Sequence, residues 1–254
     1  MTSASLPTKL GKEPLLEAIF EMQFVANMPA STVLPGILFA ETADKTKIRM
    51  ETTSAVQIPG DSTSNVRGVQ LVNSVRVVGN GYAVSVADAA VSIACQLPYP
   101  GWKNFKRRIL EVAETAVKTG IIQSISRISL KYTDMVESET LPEKLGGLNV
   151  NLRVGDFELK TENATIRVEI PGDPLIHIVQ LVSDATVGLQ SGGSKRGTAI
   201  DVDSVYPLSD MDAQTFVTKL DPLSEALHTE NKRVFFSCIG KDVLNRLEPV
   251  YVQQ

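Results

Sequence analysis

Two histidines, two cysteines and a few regularly spaced carboxylates are the residues of this 254-residue chain that could do chemistry. A nucleophilic triad needs a nucleophile oriented by a histidine, and only His177 and His228 are available. Neither a Gly-x-Ser-x-Gly turn nor a cysteine-protease pattern accompanies them. His177 lies in Leu175-Ile176-His177-Ile178-Val179, the setting of a strand histidine satisfied by a local hydrogen bond. His228 falls late in a helical run, where it can bond a carbonyl, complement the helix dipole or face a partner. Cys95 and Cys238 stand alone in apolar surroundings, so they read as small buried hydrophobes and not as zinc ligands.

The carboxylates divide into two pairs. Asp201 and Asp203 stand two apart in Ile200-Asp201-Val202-Asp203-Ser204, as ligands of a hard cation can, and that spacing is also the solvent face of an amphipathic strand. Glu17 and Glu21 share one side of an extended segment, which suits acid/base work in a pocket or pairing with Arg and Lys across a sheet. Gly192-Gly193-Ser194-Lys195 lacks the spacing of a phosphate loop and precedes a strand, so it reads as a flexible loop offering Lys195 and Arg196 to a partner. Lys103, Lys106, Arg107 and Arg108 follow Trp102, a mixture of charge and stacking surface that single-stranded nucleic acid can use. No catalytic residue, metal ligand or cofactor is assigned. Partner contact falls to Glu17, Glu21, Trp102, Lys103, Lys106, Arg107, Lys195, Arg196 and His228.

These residues need elements to hold them. Residues 1–13 carry no periodic signal and read as a loose tail. From Pro14 the alternation of Pro14-Leu15-Leu16-Glu17-Ala18-Ile19-Phe20-Glu21-Met22-Gln23-Phe24 predicts a half-buried strand with Ala18, Phe20, Met22 and Phe24 inward. A short helix capped by Ser31 is expected over Leu34 to Phe39, and a strand over Lys47 to Glu51. Val69 to Val78 and Tyr82 to Gln96 read as a hairpin about Gly79-Asn80-Gly81. Trp102, Phe105, Ile109, Val112, Ala113, Ala116 and Val117 make one apolar helical stripe ending near Gly120. A further strand covers Ile125 to Tyr132.

The polar run Glu137 to Gly147 is the expected boundary. Beyond it come strands over Phe157 to Lys160, Ala164 to Ile170, Leu175 to Val182 and Thr198 to Val205, then a helix capped by Asp212 that ends at Leu220 and another restarting at Asp221-Pro222. Leu223, Leu227, Val234 and Cys238 form the stripe of that last helix, interrupted by Asn231. Strands followed by helices mark an α+β fold. The expectation is two strand-rich antiparallel units, 14–140 and 141–254, each followed by a packing helix in a duplicated arrangement packed as one compact domain.

The totals bound the function. With 43% hydrophobic and 21% charged residues the composition is globular, and a net charge of −4 gives no general attraction to phosphate or anionic lipid, so nucleic acid is disfavoured. The opening residues lack a secretion pattern, no apolar run reaches membrane-spanning length, and the unpaired cysteines suit a reducing compartment. A cytoplasmic protein without membrane contact is expected.

The chain resembles a sporadically distributed family of uncharacterised prokaryotic proteins. The likeness is carried by Pro14-Leu15-Leu16-Glu17-Ala18-Ile19-Phe20-Glu21, by Tyr99-Pro100-Gly101-Trp102 leading to Phe105, by Arg127-Ile128-Ser129-Leu130-Lys131-Tyr132, and by Leu227-His228 followed by Phe235. Where the family pattern has Gly-Leu-Arg-Tyr, this chain has Ser129-Leu130-Lys131-Tyr132. The resemblance implies a bacterial protein of a small, defence-linked operon and transfers no catalytic residues. The leading expectation is a non-enzymatic interaction component, a regulator, inhibitor or subunit that binds another protein and forms a homodimer through exposed strand edges. Two alternatives stand beside it: a metal-assisted hydrolase joining dispersed acidic residues to His228, and a nucleic-acid-binding accessory protein using residues 103 to 108.

Overall fold

A computed structural model describes residues 6–41, 48–57, 70–137, 144–188 and 192–251. Lys47, Val69, residues 138–143 and Ser191, on which some of the expectations fall, lie outside the described residues. In chain order the elements are β1 (Lys9–Leu10), β2 (Leu15–Ala26), a single 3-10 turn (Ala30–Thr32), α1 (Leu34–Glu41), β3 (Arg49–Gln57), β4 (Gln70–Gly79), β5 (Tyr82–Ala87), β6 (Ala90–Cys95), α2 (Trp102–Lys118) and β7 (Ile122–Glu137). There follow β8 (Arg153–Val154), β9 (Phe157–Glu158), β10 (Thr165–Pro171), β11 (Ile176–Gly188), β12 (Ser194–Asp212), α3 (Ala213–Cys238), α4 (Lys241–Arg246) and β13 (Pro249–Val250). The fold is α+β, built on antiparallel ladders. No helix among the described residues is long and apolar enough to cross a membrane.

Two compact units divide the chain. The unit of Ile19–Ser129 and Pro207–Ser224 has the strand order β7-β2-β6-β5-β4-β3. Phe20, Met22 and Phe24 of β2 are buried, as their alternation requires. The turn between β4 and β5 is Asn80-Gly81, with φ of 54° and 81°, the left-handed region that asparagine and glycine enter at least cost. The run from Tyr82 to Gln96 is not one strand. It breaks at Asp88-Ala89 into β5 and β6, which pair as a second hairpin from Tyr82↔Cys95 to Ala87↔Ala90. The break is fixed tertiarily: the Asp88 carbonyl accepts from Ala30 N–H at 3.2 Å, and its carboxylate accepts from Ser31 Oγ, which therefore does not cap α1. Helix α2 buries Phe105, Ile109, Val112, Ala113, Ala116 and Val117, the expected stripe, while Trp102 at its start stays half-buried.

The unit of Met1–Ala18, Leu130–Tyr206 and Glu225–Gln254 has the order β10-β11-β12-β7. Lys9 and Leu10, in the stretch expected to be a loose tail, pair with Val250 and Pro249. Its core includes Val136, Val179, Leu181, Ile200, Val202, Val234 and Phe235. Each such side chain contributes about 1.5–3 kcal/mol when removed from water.

Helix α3 corrects an expectation. It runs unbroken from Ala213 to Cys238 with Pro222 inside, although Pro222 cannot donate a helical hydrogen bond. Asp212 caps it as the sequence suggests, accepting from Gln214 and Thr215 N–H at 3.0 Å each. Next to the proline, Ser224 Oγ donates to the Asp221 carbonyl at 2.8 Å. Phe216 and Leu220 before Pro222 and Leu227 and Asn231 after it are all buried, and that packing outweighs the proline's cost of about 3 kcal/mol.

Candidate functional site

The residues of chemical promise occupy four places. In the first, His177 Nδ1 lies 2.9 Å from Ser204 Oγ, its cross-strand neighbour in the β11–β12 ladder. Ser204 is fully buried and also accepts from Asn231 Nδ2 at 3.1 Å. The same Asn231 amide, on α3, reaches the carbonyls of Leu130 at 2.9 Å and Val202 at 2.8 Å. Burial, with the Arg233 charge, holds the His177 imidazolium below its ordinary pKa. A serine beside a histidine is thus present, but its hydroxyl is enclosed, so the arrangement anchors a helix to a sheet and offers no attacking group.

The second place joins two motifs of the resemblance. Tyr132 Oη lies 3.2 Å from His228 Nδ1, with the rings edge to face at 5.9 Å. On the neighbouring positions Thr133 Oγ1 donates to Asp201 at 3.0 Å, and Lys131 Nζ lies 2.9 Å from the same carboxylate. Successive strand residues point to opposite faces, so Tyr132 with His228 and Thr133 with Asp201 occupy different sides of β7. His228 and the acidic pair are therefore not brought together. Among the described residues no group of three or more His, Cys, Asp or Glu is placed to hold a metal ion. Burial pulls the Lys131 ammonium down, but the Asp201 hydrogen bond and the charges of Asp201, Glu17 and Asp203 prevail and leave its pKa raised. Asp134 is enclosed nearby. Burial first, then the Glu13 and Asp201 carboxylates, push its pKa up to about 8, so at neutral pH it is a neutral acid. Burial also raises Glu13, against the pull of Lys9.

Third come most of the residues expected to meet a partner, which are spread over both units at separate positions. Glu21 pairs with Arg127 at 3.4 Å. Lys106 pairs with Asp221 at 2.8 Å, Arg107 with Glu111 at 3.9 Å, and Arg108 with Glu111 at 3.3 Å, so the basic run on α2 is interleaved with carboxylates. Lys103 is exposed on α2. Trp102 and Tyr99 set their rings edge-on to Phe105 at 6.3 and 6.2 Å, and Tyr82 stacks on it at 6.4 Å. Gly101 makes the entry turn with φ 83°, open to glycine. The Tyr-Pro-Gly-Trp motif is thus a packing device. Lys195 bonds Glu137 at 2.7 Å. Arg196 grips Asp184 at 2.5 and 2.9 Å, and Lys144 adds a contact at 3.2 Å. Those hydrogen bonds hold the Asp184 carboxyl down at about 2 and fix the irregularity between Val182 and Ala185, where Asp184 has φ 60°. Lys195 and Arg196 thus lie in β12 and are engaged by carboxylates of the same unit. Cys95 is enclosed too, and burial drives its thiol up to about 12.

The fourth place lies outside the residues that the sequence singles out. Among the described residues, strand β10 ends the sheet order and pairs only with β11, from Thr165↔Val182 to Pro171↔Ile176. Every residue of it is exposed except the half-buried Ile166. Val168 and Ile170, 44% exposed each, carry apolar side chains on the face that Ile166 starts. One strand further in, Leu175, His177, Val179 and Leu181 are buried. In the β8–β9 hairpin, Val154 and Phe157 are 63% and 76% exposed. A sheet edge with unsatisfied backbone groups and apolar side chains can add a strand from another chain. The signal in the sequence was the alternation Ile166-Arg167-Val168-Glu169-Ile170, but not that it ends the sheet.

Compared with protein-family models the chain matches none, and no curated protein matches it.

Proposed function

We propose that this protein is a non-enzymatic interaction component, a regulator, inhibitor or subunit of a bacterial, cytoplasmic, defence-linked system, and that it engages another polypeptide by strand addition at β10. The observation that carries the reading is the exposure of β10 on both faces, with Val168 and Ile170 open beside a one-sided ladder. The engagement of His177, Ser204 and His228 in internal hydrogen bonds favours it over a hydrolase. The interleaving of Arg107, Arg108 and Lys106 with Glu111 and Asp221 favours it over nucleic-acid binding.

The test is recovery of the tagged full chain from its host, with identification of every polypeptide that co-purifies in stoichiometric amount. Val168→Lys with Ile170→Lys places charge on the open edge without touching the buried core. The double variant should keep its thermal midpoint within a few degrees and lose about fivefold or more of its companion chain, the loss expected when roughly 1 kcal/mol is removed at a contact. Equal recovery with both proteins would remove β10 from the account.

A further inference from the structure

We infer that the occupant of the β10 edge is β10 of a second copy of this chain, paired antiparallel about a two-fold axis through Val168. The inference rests on the strand-addition reading and names its partner. Its basis is the order Ile166-Arg167-Val168-Glu169-Ile170, which is self-complementary when reversed. With the axis at Val168, Arg167 stands opposite the partner's Glu169, Glu169 opposite the partner's Arg167, Ile166 opposite the partner's Ile170, and Val168 opposite itself. An isologous interface requires this correspondence of residues. Directly opposed opposite charges and β-branched pairs are the favourable cross-strand combinations.

The backbone selects the same register. Ser183 N–H donates to the Ala164 carbonyl at 3.0 Å, and this pair has the register that continues through Thr165↔Val182. By the period of two, the amide groups of Ile166, Val168 and Ile170 turn toward β11, and those of Thr165, Arg167 and Glu169 turn to the open side. An axis at Val168 then makes Arg167 and the partner's Glu169 a doubly hydrogen-bonded pair, repeated by symmetry. Pro171, which has no N–H, falls opposite the partner's Thr165 at the margin. Moving the axis by one residue sets Arg167 against Arg167 or Glu169 against Glu169. Within one chain Arg167 and Glu169 are already 2.7 Å apart, so the four charges of the two strands form one alternating cluster. A second copy is thus attracted at an edge where charges of a single sign would repel it.

The experiment is the mass of the purified full chain in solution, by light scattering and sedimentation across concentration. The parent chain should be a dimer. Glu169→Arg opposes like charges twice and should raise the dimer Kd about tenfold. The exchange of both charges, R167E with E169R, should bring it back to within about threefold of the parent. Val168→Cys should form a covalent dimer on mild oxidation, because residues facing each other at a non-hydrogen-bonded site have Cα atoms about 4.5 Å apart, within disulfide reach. Thr165→Cys, which faces the partner's Pro171, should not. A monomeric parent, or a dimer indifferent to Glu169→Arg, overturns the second-copy inference. If V168K/I170K nonetheless sheds a different companion chain, a foreign strand occupies the edge and the interaction reading stands. If it sheds nothing, both fall.

Discussion

Between pH 5 and 8 the folded protein loses stability as the pH rises through the titration of Asp134, and replacing Asp134 by asparagine removes that contribution. The ordinary aspartate pKa is 3.8, and in the fold it is raised to about 8 by burial and by Glu13 and Asp201. Below 3.8 both folded and unfolded chains hold the proton. In the interval above it the unfolded chain has released the proton and the folded chain keeps it, so unfolding becomes easier by up to about 1.4 kcal/mol per pH unit. Past about 8 both forms are ionised and the loss is complete. Asparagine keeps the shape without the ionisation. D134N should therefore exceed the parent by on the order of 3–5 kcal/mol at pH 8 and approach it at pH 4. His177, with a pKa held down, acts with the opposite sign: its contribution is present above its unfolded value and is lost as the pH falls, so it shapes the acid side of the profile. Urea unfolding of both proteins at unit pH steps reads the difference directly, and parallel profiles would show that Asp134 does not keep its proton.

Replacing Asn231 by leucine should cost about 2–4 kcal/mol and lower the thermal midpoint by roughly 5–15 °C. Leucine nearly matches asparagine in size but supplies no donor. The Leu130 and Val202 carbonyls and Ser204 Oγ, which share the Asn231 amide, would each lose that bond in a buried place. Asn231→Asp should be worse at neutral pH, because a carboxylate would face two carbonyl oxygens that now receive a donor. Loss below about 1 kcal/mol for the leucine variant would mean that water or relaxed geometry satisfies those groups. The interruption of the helical stripe by one asparagine is thus the trace of a bridge between α3 and two strands.

Local pattern proved readable where one segment decides its own fate. Ala18, Phe20, Met22 and Phe24 alternate inward in β2, and the α2 stripe from Phe105 to Val117 is buried as its spacing requires. What escaped is set by remote partners. Asp88-Ala89 has no glycine or proline to announce a turn, and Ala30 and Ser31 tether it. Pro222 reads as a helix start, yet the buried residues on both sides of it carry α3 through. Lys195 and Arg196 look available in sequence because Glu137 and Asp184, which hold them, are distant along the chain. The position of β10 at the end of a sheet follows from which strands pair, a property that no window of the sequence contains.

Cys95 gives the folded chain a clock. Alkylating reagents attack the thiolate, and a thiol held near 12 inside β6 supplies almost none at pH 8 while the strand stays closed. Each modified Cys95 therefore records one opening of that strand. The time course of its labelling follows the opening of this part of the molecule under native conditions, without denaturant.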